Sequence, residues 1–167
     1  MENQKTCLFD PESDSGKILF EWWRGLEERR GDRAELRRAR NPAEVVFSSA
    51  YHQLYQRLHL PKKEALALIA GLCAHVKDNQ PQLGIAEQMA EGKEGAKNDK
   101  SKVSGLRFRR SLAVNDPDEL YYTMIRIIRL LGGMVNIYDL AKSMYWWNGK
   151  TKKQWAYKYY EHASEEK

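Results

Sequence analysis

Between Asp118 and Leu131 the sequence DELYYTMIRIIRLL sets two arginines and a tyrosine against an aliphatic stripe. At 100 degrees per residue Leu120, Met124, Ile127, Ile128 and Leu131 gather on one side of a helix, and Tyr122, Arg126 and Arg129 meet on the other. The planar fork of a guanidinium binds two phosphate oxygens at once and also stacks on bases, so this face has the chemistry of a polyanion contact. Two solvated arginines neutralised by nearby acids have the same pattern, and this helix alone leaves both readings open. Further basic residues lie close by in sequence. Arg107 and Arg110 are three apart and share a face of GLRFRRSLAV, whereas Arg109 points elsewhere, toward an internal salt bridge. Lys142 sits on the next segment, and Lys150, Lys152 and Lys153 surround a turn at Asn148-Gly149 where a phosphate can approach. DRAELRRAR, much earlier in the chain, contributes Arg37 and Arg38. The summed field of such groups matters more than any one contact.

The charge is local. Lys and Arg balance Asp and Glu at 16 against 16 over residues 1–100, outnumber them 11 to 4 over 101–160, and fall to 1 against 3 over 161–167. With a pI near 9.1, this asymmetry makes a polyanion the leading partner. Catalytic signals are missing. His52, His59, His75 and His162 have no metal-ligand spacing, and Cys7 and Cys73 are too far apart in sequence for a zinc motif. The sequence has no P-loop, no GxSxG and no cluster of acids fit to hold a metal. No enzyme activity, cofactor or metal is expected. Trp22-Trp23 and Trp146-Trp147 suggest base-stacking platforms, but helical spacing favours one ring of each pair in the core and its neighbour at an edge or partner surface. Tyr157, Tyr159 and Tyr160 fall under the same expectation.

The elements that must carry these residues read as helices throughout. The fold class is all-α: two small helical lobes of about eight helices, bundle-like. Residues 1–15 form a flexible leader whose closing Ser-Asp-Ser-Gly can cap the first helix. The N-terminal lobe, 16–76, begins with a helix from Lys17 that presents Leu19, Trp22, Trp23 and Leu26 inward and closes at Gly31; a second starts on Asp32. After Asn41-Pro42, AEVVFSSAYHQLYQRL makes one helix with Val46, Phe47, Tyr51, Leu54 and Leu58 as its stripe. KKEALALIAGLCAHV, nearly continuous in Ala and Leu, should be the most buried element of this half. Residues 77–104 are a polar loop or insertion around one short helix, IAEQMA. The C-terminal lobe, 105–167, holds four helices, one of them opening on Asp116-Pro117 and ending at Gly132-Gly133. No strand alternation is sustained. No run spans a bilayer, the N-terminus is not signal-like, and the expected location is cytoplasmic.

WWRGL at 22–26, GDRAELRRAR at 31–40, LRFRRSL at 106–112, IIRLLGG at 127–133 and YWWNGKTKKQWAYKYY at 145–160 together resemble the CasB family, the small subunit of the type I-E CRISPR Cascade complex. The likeness runs through nearly the whole chain in order and is weakest in the leader and across 77–104. It implies a non-catalytic protein, two copies of which sit head to tail in an RNA-guided surveillance complex. It also implies contacts with the backbone subunits that coat the guide RNA and with the large subunit, and a part in holding the displaced non-target DNA strand. Carried over by position, Arg37, Arg38, Arg107, Arg110, Arg126, Arg129, Lys142, Lys150, Lys152 and Lys153 occupy segments that carry basic surface residues in the family. Guide RNA is a further implied contact.

Two other readings compete. GGMVNIYDLAKSMYWWNGKTKKQW can be read as helix, turn, helix, as in a duplex-DNA regulator, although its second helix would then present Trp155, Tyr159 and Tyr160 with its lysines. A structural adaptor would instead turn its basic face to acidic protein surfaces.

Overall fold

The structure is a computed structural model, and it describes residues 8–92 and 100–163. Cys7, most of the leader, the centre of the polar stretch EGKEGAKNDKS and the last four residues lie outside the described residues. Ten helices and one pair of two-residue strands are described: α1 (Asp14–Gly25), α2 (Arg30–Arg38), α3 (Pro42–Val45), α4 (Ser49–Leu58), α5 (Lys63–Cys73), β1 (Asp78–Asn79), α6 (Ile85–Ala90), α7 (Gly105–Leu112), α8 (Pro117–Leu130), β2 (Met134–Val135), α9 (Ile137–Tyr145) and α10 (Gly149–His162). The protein is all-α in class.

Short polar caps set these boundaries. Ser13, Asn41, Ser48, Ser104, Asp116, Asn136 and Asn148 each accept a hydrogen bond from a backbone N–H in the first turn they precede, satisfying donors that have no partner inside the helix. Pro42 and Pro117 then stand at the first helical position, where a missing N–H costs nothing.

The core is organised around α5. Every residue from Leu66 to Ala74 is buried, as the Ala and Leu run requires. α2, α3 and α4 pack on α5 from the N-terminal side, and α8 and α9 from the C-terminal side, so both halves of the chain share one apolar core. α6 packs against α10. Gly71 lets α5 approach closely: a Cβ there would lie 2.7 Å from Tyr121 Cε1 and 2.9 Å from Val45 Cγ2.

Several boundaries differ from the sequence expectation. α1 begins at Asp14 and ends at Gly25, because Leu26, Glu27 and Glu28 close a turn on the carbonyls of Trp23, Arg24 and Gly25. Gly31 and Asp32 therefore lie inside α2 instead of ending one helix and capping the next. The expected single helix over AEVVFSSAYHQLYQRL is two: α3 lasts one turn, and Ser48 recaps the chain for α4. Val45 takes the buried position, which leaves Val46 and Phe47 37% and 86% exposed; neither belongs to the inward stripe of Tyr51 and Leu54. The leader is anchored at its end by Phe9, fully buried beside Tyr145. Within 77–104, Ile85, Met89 and Val103 join the core. β1 and β2 pair in parallel, Asp78 with Met134 and Asn79 with Val135.

Candidate nucleic-acid interface

α8 delivers the face that its periodicity predicts. Leu120, Met124, Ile127, Ile128 and Leu131 are all buried, and Tyr122, Arg126 and Arg129 are exposed opposite them. The helix ends in Gly132 and Gly133 at φ of +69° and +77°, with Gly133 N–H returning to the Ile128 carbonyl at 2.9 Å. This is the left-handed cap that glycine adopts without a Cβ penalty.

Arg129 is not alone there. α2 crosses the C-terminal end of α5, where Arg33 Nε donates to the Ala74 carbonyl at 3.2 Å and Arg33 Nη2 donates to the Val76 carbonyl at 3.3 Å. A guanidinium suits that position, since the carbonyl end of a helix carries partial negative charge. Arg37, one turn further along α2, is exposed, and a shallow groove there is lined by Glu27, Arg30, Arg33, Ala34 and Arg37. His75 lies between these elements. Burial first, and then the guanidiniums of Arg37, Arg129 and Arg33, hold its pKa down from 6.5 to about 4. The fields of Arg37 on α2 and Arg129 on α8 thus both reach one imidazole, although the two residues are far apart in sequence. Arg38 and Arg126 are exposed on the same two helices.

A second cationic face is built on α7 and α10. Phe108 and Tyr159 stack at 4.0 Å with their planes 5° apart, and Tyr159 OH donates to the Val103 carbonyl at 2.7 Å. That inner contact turns Arg107 and Arg110 of α7 and Lys150 and Lys153 of α10 outward, all four exposed. Arg109 Nη1 donates to Tyr160 OH at 3.4 Å. Lys152 bonds Asn115 Oδ1 and stands 5.4 Å from the centre of the Trp147 ring, so it is partly committed to the fold. Lys142 is committed further: its ammonium pairs with Asp10 and ties α9 to the chain ahead of α1. Among the described residues no carboxylate forms a salt bridge with the remaining nine cations expected to bind nucleic acid.

The two tryptophan pairs divide differently. Trp22 is buried with its indole N–H on the Ala50 carbonyl at 2.8 Å, while Trp23 is half-buried and donates to Val76. Trp146 and Trp147 are both half-buried; with Lys62, 4.2 Å from the centre of the Trp146 ring, they line a cleft of about 560 Å³ beside Tyr145, Pro117 and Asn148. Trp155 and Tyr159 of α10 are core residues, while Tyr157 and Tyr160 stand exposed, so the basic side of this helix is not free of aromatics to lay in a major groove.

Nothing else among the described residues assembles chemistry. They contain no group of three or more metal-ligating side chains, and burial pushes the Cys73 thiol up to about 12, leaving it inert. No helix among them is long and apolar enough to cross a membrane. Sequence reasoning missed His75 and Arg33 as parts of the first face. The spacing of Arg33 and Arg37, four apart on one helix, was the available signal for the arginine.

The described residues form a helical body with exposed cations on α2, α7, α8 and α10. The family model described as CRISPR-associated protein Cse2 matches residues 32–160, and the chain belongs to that family, the type I-E Cascade small subunit also called CasB. In structure it is similar to a chain in the crystal structure of E. coli Cascade bound to a PAM-containing dsDNA target with a 32-nt spacer. The TM-score is 0.70 at 14% identity, over 90% of this chain and 97% of that one, a likeness of fold. Comparison with the curated proteins by sequence finds no match.

Proposed function

We propose that this protein is a non-catalytic, cytoplasmic subunit of a type I-E Cascade complex that holds the displaced non-target DNA strand and stabilises the R-loop through its basic helical surface. Its partners are the subunits that coat the guide RNA, the large subunit, a second copy of itself placed head to tail, and the displaced strand, with guide RNA as a further contact. What supports the reading most is membership of the Cse2 family together with the exposure of Arg37 and Arg129, neither of which has a carboxylate among the described residues in a salt bridge to it. Opening a duplex against a guide RNA is a nearly balanced exchange, and contacts to the phosphate backbone tip it. A cationic face that does not read bases suits a strand whose sequence changes with every target.

Binding of a single-stranded oligonucleotide to the full-length chain across a salt series tests this. Replacing both Arg37 and Arg129 with Glu removes two exposed cations without touching the core. The slope of log affinity against log salt should become shallower by about 1.4, at roughly 0.7 per lost phosphate contact on a single strand. An unchanged slope and affinity would remove these arginines from the interface. The regulator reading is disfavoured by Tyr157 and Tyr160, which stand exposed on the helix that would enter the groove.

A further inference from the structure

The exposed side of α10 carries Lys150, Lys153, Tyr157 and Tyr160 in one line. Their spacing of three, four and three keeps them on one face over ten residues, about 15 Å of helix. Tyr157 is 71% exposed and Tyr160 52%, whereas Trp155 and Tyr159, on the other side of the helix, are 3% and 2% exposed. The inner aromatics are accounted for by the core; the outer two are not. Tyr160 is nevertheless held in place, its ring edge-on to Phe108 at 5.9 Å and its hydroxyl accepting from Arg109. Tyr157 and Tyr160 line a shallow apolar groove with Ala156 and Glu161. The Glu161 carboxylate repels phosphate, but among the described residues of α10 Lys150, Lys153 and Lys158, all exposed, outnumber it.

Exposed rings flanked by cations match the chemistry of a single-stranded nucleic acid, whose bases offer π-faces and whose phosphates lie within reach of the lysines. An apolar protein segment would use the rings but gain nothing from the lysines. We infer that Tyr157 and Tyr160 form a base-stacking platform that grips a single strand of nucleic acid while Lys150 and Lys153 hold its phosphates. This rests on the proposed strand-holding role and adds stacking to a surface otherwise read as electrostatic.

The test compares an oligothymidylate with an abasic oligonucleotide of equal phosphate number, both titrated against the full-length chain by fluorescence anisotropy. The unaltered chain should prefer the oligothymidylate by at least about fivefold, since stacking contributes roughly 1–3 kcal/mol per base. Tyr157→Leu with Tyr160→Leu should abolish that preference at unchanged salt slope, and the double Phe variant should retain it. Equal affinity of the unaltered chain for both probes, or a preference that survives in the Leu variant, overturns the platform and leaves the strand-holding role standing. Failure to bind either probe at low salt overturns both.

Discussion

His75 reports on the first cationic face more directly than any arginine. Its folded pKa of about 4 lies below the ordinary 6.5, so the fold favours the neutral ring. Between those values the unfolded chain binds more protons than the folded one, and stability therefore rises with pH. The contribution is complete above pH 6.5 and is lost as pH falls through about 4. Denaturant midpoints measured from about pH 7 down to about pH 4 should fall, and His75→Gln should flatten the part of that decline owed to this ring. A second consequence concerns the ligand: a polyanion bound to Arg37 and Arg129 screens two of the guanidiniums that depress this pKa, so the NMR-observed titration of His75 should move upward on binding. Periodicity could not locate this residue. A lone histidine has no local pattern, and its neighbours Arg33, Arg37 and Arg129 are distant in sequence. The pairing of Lys142 with Asp10 was hidden for the same reason, since the acid comes from a segment with no helical repeat.

At the scale of elements, long periodic helices were legible and short ones were not. α8 and α5 are readable from their apolar spacing because each buries a face wide enough to override local detail. The break between α3 and α4 was not: Val46 and Phe47 fit a helical stripe as well as Val45 does, and only the tertiary packing of Val45 against Gly71 decides among them. The β1–β2 pair is two residues long, too short to alternate, and rests on Lys77 and Asp78 N–H groups meeting the Gly133 carbonyl at 2.8 and 3.2 Å. Where α5 meets α8 the fit is tight enough to test. Gly71→Ala places a methyl against Tyr121 and Val45, and overpacking of that kind costs about 1–3 kcal/mol, partly offset by the better helix propensity of Ala. Chemical denaturation should show a net loss of about 1–2 kcal/mol; a variant as stable as the parent would mean that α3 and α8 yield freely around α5.

At the scale of the whole molecule, the excess charge of the C-terminal third does not act as a separate module. Arg129 on α8 acts on the same imidazole, His75, as Arg33 and Arg37 on α2, from a half whose sequence is neutral on balance, and α5 is the element both helices pack against. The sequence carried the fold class and most of the individual cations, since both depend on local spacing. It did not carry their grouping into two faces, which depends on how the two halves close on one core. Membership of the Cse2 family fits that arrangement, and the strand-holding role is the claim that most needs a direct test. Cascade reconstituted with Arg126→Glu and Arg129→Glu in this subunit, at unchanged subunit stoichiometry and guide RNA content, should hold an R-loop on a matched target for a time shorter by about tenfold, the effect of losing one or two charge-assisted contacts. R-loop lifetimes equal to those of the unaltered complex across a salt series would contradict it.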